Sequence, residues 1–126
     1  MTTKKNPTKQ NGMGLQRIRK AYSYSMQGLK AAFHHEAAFS EELLLIAIML
    51  PLGMWVSDNN IERTLLIGSL FLILIVELLN SAIEAVVDRI GSEQHELAGR
   101  AKDLGSAAVF LTLVNAFIIW LLILCG

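Results

Sequence analysis

Three long apolar blocks separated by short polar segments dominate the chain. They run from Leu43 to Val56, extended upstream by Ala37, Ala38 and Phe39; from Leu65 to Val87; and from Leu104 to Cys125. A hydrocarbon core about 30 Å thick is crossed by roughly 20 helical residues. The second and third blocks supply that length, and the first reaches it with its extension and in spite of Pro51. Upstream, Ile18, Tyr22, Met26, Leu29 and Phe33 recur at spacings of three and four, while Arg17, Lys20 and Tyr24 share another face. That pattern predicts an amphipathic helix lying on a membrane surface. Met1 to Gly14 is polar and reads as a tail, and Ser57 to Arg63 reads as a tight turn between antiparallel helices. The expected fold is all-α: three transmembrane helices (about 37–56, 62–88 and 104–125) and an N-terminal surface helix (about 15–34), forming one membrane domain over residues 15–126.

Composition agrees, with 53% hydrophobic residues among 126 and no net charge by count. The placement of charge is uneven. Of eleven Lys and Arg, seven precede the first block, Arg89, Arg100 and Lys102 lie in or beside the second loop, and Arg63 alone occupies the first. The positive-inside rule therefore puts the N-terminus and the loop from Ile90 to Asp103 in the cytoplasm and the C-terminus outside. Three spans make this consistent. The basic N-terminus lies too far from the first apolar block for a signal peptide, so the first span is expected to stay as an anchor. Cys125 is the single cysteine, so no internal disulfide can form. No nucleic-acid partner is expected.

The second block carries the chemistry. Glu77, Asn80, Glu84 and Asp88 follow one another at three, four and four residues and so form one polar stripe on a helix. An ionisable group inside a membrane segment costs a few kcal/mol or more, and its default reading is functional. About 20 residues of hydrocarbon counted from Leu65 end near Glu84, which puts Glu77 within about two turns of the cytoplasmic boundary. A transporter usually places its acid nearer the midplane; an enzyme acting on a lipid hydroxyl needs it at headgroup level. The carboxylates, with an amide between them, are hard oxygen ligands suited to magnesium, which keeps waters and substrate phosphates in its shell. Lys102 and Arg100 could hold phosphate charge. The plainer alternative is that Glu84 and Asp88 only pair with Arg89 or Lys102 at the membrane edge. Glu36, in HHEAAFSEE, stands at a similar level and is the other candidate ligand, with solvation as its plainer reading.

Several catalytic motifs fail. HHEAA and HELAG begin like a zinc HExxH helix, but Phe39 and Gly99 stand where the second histidine is needed. His34, His35 and His95 read as interfacial polar residues. GxxxxGK[ST] is absent, so phosphoryl transfer would not use a P-loop, and neither a nucleophile elbow nor a protein-kinase signature is present.

The run from Glu77 to Val109, ELLNSAIEAVVDRIGSEQHELAGRAKDLGSAAV, closely resembles the prokaryotic integral-membrane diacylglycerol kinase family, and EAAF at Glu36 to Phe39 extends the match upstream. The resemblance implies a homotrimer with composite sites at subunit interfaces that transfers the ATP γ-phosphate to diacylglycerol, giving phosphatidic acid, in a bacterial inner membrane. Carried over by position, Glu77 resembles the general base and Asn80 the group that orients it, while Glu36 and Glu84 resemble the ligands of magnesium on ATP. Arg17, Lys20, Tyr24, Glu93, His95, Lys102 and Asp103 match nucleotide-binding positions, together with Glu36 and Glu84. Arg17, Glu77 and Ser106 match the lipid site. Met26, Gln27, Lys30 and Phe33 depart from the familiar Trp, Lys, Arg and Trp, which concerns the mouth of the lipid site rather than the chemistry.

Two rivals remain at this stage. Undecaprenol kinase, performed by a related branch with the same catalytic residues, differs only in acceptor. A small proton-coupled transporter with Glu77 as carrier acid is opposed by the boundary-level stripe and the basic surface helix. Gly105, Ser106, Ala107 and Ala108 would allow close helix approach, and Thr112 and Asn115 could hydrogen-bond across helices.

Overall fold

A computed structural model describes residues 14–91 and 95–126. Four helices follow one another: α1 (Gly14–His35), α2 (Ala37–Val56), α3 (Asn60–Ile90) and α4 (Glu96–Cys125). The last three are long and apolar enough to cross a membrane. The chain is thus an all-α multi-pass membrane protein, with an amphipathic helix ahead of the spans.

Each junction has a local cause. Glu36 alone separates α1 from α2; its backbone is extended at φ −117° and ψ 104°. Ser40 Oγ donates to the Phe33 carbonyl at 2.8 Å and so ties the new helix to the end of the old one. Between α2 and α3, Asn59 caps by accepting from the Glu62 amide at 2.9 Å, and the Glu62 carboxylate accepts from the Asp58 amide at 2.8 Å. These reciprocal bonds satisfy donors that a helix start leaves free. The turn is as tight as its length implies. Pro51 sits inside α2 without ending it.

The second loop differs from expectation. The segment Ile90 to Asp103 was expected as a charged loop, but α4 begins at Glu96. His95 caps it, its Nδ1 accepting from the Leu97 amide at 3.1 Å, and Glu96 places a negative charge in the first turn. Leu97, Arg100, Ala101 and Lys102 are good helix formers, and charge is no obstacle to a helix beyond the hydrocarbon. The α4 helix therefore extends beyond its apolar stretch and carries its basic residues rigidly.

Packing inside a bilayer gains little from apolar burial, so close approach and buried hydrogen bonds carry more of the association. Trp120 on α4 provides both. Its indole Nε1 donates to Ser69 Oγ on α3 at 3.2 Å, and that hydroxyl donates onward to the Leu66 carbonyl at 2.7 Å. On α2, Gly53 leaves room for the indole: a Cβ there would lie 3.1 Å from Trp120 Cη2. Ile46, Leu66, Leu70, Ile73 and Ala116 complete this core, which occupies the half of the bundle away from the polar stripe. Ser69→Ala should orphan the indole N–H and destabilise the protein by about 1 kcal/mol. Thermal unfolding in detergent checks this; an unchanged transition temperature would refute the role of the bond.

Candidate active site

The C-terminal half of α3 buries the inner end of the polar stripe, Glu77 and Asn80. Glu77 is 6% exposed and Asn80 8% exposed, both buried among helices that are otherwise apolar. Asn80 Nδ2 donates to Glu84 Oε1 one turn along at 3.3 Å. Glu84 is half-buried and Asp88 exposed, so the stripe runs from a closed end at Glu77 to an open end at Asp88.

What closes it is Gly105 on α4. A Cβ at that position would overlap Asn80 Oδ1, so the missing side chain is what allows α4 to press against the Asn80 amide. Asn80 Oδ1 is thereby sealed from solvent, yet among the described residues it has no hydrogen-bond partner. An unpaired buried oxygen normally costs about 1–3 kcal/mol, and this one stands one turn from Glu77 on the same helix.

Glu36 approaches from the α1–α2 junction. It occupies the N-cap position of α2, but its side chain makes no capping bond, and its charge, like that of Glu84, acts on Glu77. Among the described residues no group of three side chains could by itself hold a metal ion. Glu36 and Glu84 are carboxylates, the hard oxygen donors that magnesium takes, and two such donors would leave most of its shell to water and phosphate oxygens.

The remaining expected residues fall around this cluster. Lys102 Nζ pairs with Asp88 Oδ1 at 2.7 Å between α4 and α3, so the edge pairing considered for these two residues does form. It holds the ammonium at the open end of the stripe, while Glu84 bonds Asn80 instead. Arg100 pairs with Glu96 at 3.5 Å on its own helix. Asp103 and Ser106 are exposed on the same helix. His95 is engaged as the cap of α4, and Glu93 lies outside the described residues. Arg17, Lys20 and Tyr24 are exposed on α1, where no hydrogen bond or ion pair among the described residues joins them to the stripe. Thr112 bonds the Val109 carbonyl of its own helix at 2.6 Å rather than reaching across.

Between α1 and α3 lies a groove of about 760 Å³. Its walls are largely apolar or small, including Gly28, Leu29, Leu78 and Ala82, and Glu36 is among them. The groove uses a different face of α3 from Glu77, Asn80 and Glu84, and Glu36 is the carboxylate it exposes.

Sequence reading missed Glu42 and Gly105. Glu42, on α2, is half-buried, and its carboxyl lies within hydrogen-bonding reach of Glu77. The signal was present in FSEELLL, where an ionisable residue stands at the entry to an apolar block. Gly105 was noted for close approach, but not as the neighbour of Asn80. Gly105→Ala should push Asn80 away and lower kcat by about 100-fold while helical content stays intact. Circular dichroism with turnover checks this, and wild-type turnover in that variant would refute the role assigned to the glycine.

Comparison with known proteins identifies the family. The profile of the family described as prokaryotic diacylglycerol kinase matches residues 23–124. The chain is similar to a diacylglycerol kinase of Escherichia coli (strain K12), 53% identical over 114 residues that cover 90% of this chain and 93% of that one. It is similar to a diacylglycerol kinase of Haemophilus influenzae, 50% identical over 107 residues covering 85% and 91%. A diacylglycerol kinase of Pseudomonas aeruginosa is 48% identical over 113 residues, covering 90% and 92%.

Proposed function

The chain belongs to the prokaryotic diacylglycerol kinase family, and from that premise we propose that its polar stripe transfers the γ-phosphate of ATP to the hydroxyl of diacylglycerol, giving phosphatidic acid. The kinase activity towards diacylglycerol follows from the family. The observation that carries the residue assignment is the burial of Glu77 and Asn80 on one face of an otherwise apolar helix.

Phosphoryl transfer demands little covalent work from the protein; it asks for alignment and charge neutralisation. An acyl chain in the groove between α1 and α3 would bring its glycerol end to the level of Glu36, which lines that groove. Glu77 then accepts the hydroxyl proton as the oxygen attacks phosphorus. Asn80, pinned by Gly105, fixes the geometry on the far side. Glu36 and Glu84 would hold magnesium on the nucleotide, which supplies neutralisation of the phosphate oxygens when bound. Lys102, at the mouth, can leave Asp88 for a triphosphate at little cost, since a solvent-screened ion pair is weak. Asp103, Glu93, His95, Arg17, Lys20 and Tyr24 surround the nucleotide on this reading, with Arg17 and Ser106 also facing the lipid.

Exposure of Arg17, Lys20 and Tyr24 away from the stripe of their own chain supports composite sites, in which a neighbouring copy of a homotrimer completes the set. The basic residues before α2 and at the start of α4 support a cytoplasmic N-terminus in a bacterial inner membrane.

The direct test is phosphate transfer from γ-labelled ATP in mixed micelles containing diacylglycerol and undecaprenol together. Labelled phosphatidic acid as the dominant product is expected; labelled undecaprenyl phosphate instead would overturn the acceptor. Glu84→Gln should raise the magnesium concentration for half-maximal rate about tenfold, and an unchanged requirement would remove Glu84 from the metal.

A further inference from the structure

The inward face of α2 carries Phe39, Glu42, Ile46 and Gly53, recurring at helical spacing. Phe39, Ile46 and Gly53 are buried against the rest of the bundle. Glu42 is the ionisable member of this packing stripe, whereas its neighbour Glu41 is exposed. One Glu42 oxygen, Oε2, is sealed from solvent and has no hydrogen-bond partner among the described residues. The Glu42 carboxyl as a whole lies within hydrogen-bonding reach of the carboxyl of Glu77, on the facing helix.

Nothing structural calls for a carboxyl group there. A buried ionisable pair is often replaced by apolar residues of similar volume with no loss of stability, and a leucine would continue the stripe. Two ionised carboxylates are acceptors only and cannot bond one another. A proton held between them changes this, because one group then donates to the other. Glu36, Glu41 and Glu84 already contribute negative charge around the pair, so one bridging proton also limits repulsion of an incoming triphosphate.

We propose that Glu42 is a positioning residue for Glu77: the two carboxyl groups share one proton across the α2–α3 interface, and that bond aims the free Glu77 oxygen at the acceptor hydroxyl. The inference rests on the reading of Glu77 as base. In the transfer itself the hydroxyl O–H bond breaks and its proton goes to the free Glu77 oxygen. The new O–P bond forms, and the bond from the γ-phosphorus to the bridging oxygen breaks, its electron pair leaving with the nucleoside diphosphate. The proton shared with Glu42 is not consumed.

The test compares Glu42→Gln and Glu42→Leu in the full-length protein in mixed micelles of diacylglycerol with magnesium and ATP. Glutamine keeps an N–H that can donate to Glu77, so its kcat should stay within about tenfold of wild type. Leucine keeps the packing but not the donor, so its kcat should fall by about 100-fold or more with KM for ATP within about threefold. Its unfolding temperature should match or exceed that of wild type. Wild-type turnover in the leucine variant, or equal losses in the two variants, would overturn the inference. So would a loss of activity that tracks a lowered unfolding temperature. Absence of phosphate transfer by the wild type would instead sink the underlying reading of the site, so the two failures are distinguishable.

Discussion

Burying a carboxyl group in a membrane helix is the constraint around which this protein is organised. Glu77, 6% exposed between Val76 and Leu78, would cost several kcal/mol among lipid tails. It is kept from lipid by the facing helices: α2 brings Glu42 within hydrogen-bonding reach and α4 closes on Asn80 at Gly105, with Glu36 at the junction ahead of α2. Each of these neighbours depends on a local feature: the single extended residue at Glu36, the absent side chain at Gly105, and the helical spacing that aligns Glu42 with Phe39 and Ile46.

The bundle divides its labour along the membrane normal. One half is fastened by Trp120, which hydrogen-bonds Ser69 and rests on Gly53, and it holds the three spans at a fixed distance. The other half has exchanged apolar packing for unpaired oxygens, Glu42 Oε2 and Asn80 Oδ1. A half packed in this way lowers stability and is retained where ligand or chemistry requires it. The rigid half makes the polar half affordable, since the helices bearing Glu77 and Gly105 cannot drift apart to let water relax the site.

Much of this was legible in the sequence. Three apolar blocks of sufficient length gave the spans, and the spacing of Glu77, Asn80, Glu84 and Asp88 gave their shared face, because a polar stripe stands out on an apolar helix. The inward faces of α2 and α4 did not show, since helices apolar on nearly every side carry no periodic contrast. That is why Glu42 passed unnoticed as a packing residue. Nor does helical period state which residue of α4 meets Asn80; interhelical register is set by the fit of Trp120 and Gly105, many residues apart. The segment Glu96 to Asp103 misled for a third reason: its charges resemble a loop, yet its residues are good helix formers with a cap at His95.

The central claim is that the buried Glu77 carboxyl takes the proton of the lipid hydroxyl. Its most direct test is single-turnover phosphate transfer by Glu77→Gln, with nucleotide binding and unfolding temperature measured on the same preparation. The account predicts a rate lowered by about 1000-fold or more, within the range for loss of a general base, with nucleotide affinity and fold retained. Transfer at the wild-type rate would contradict it.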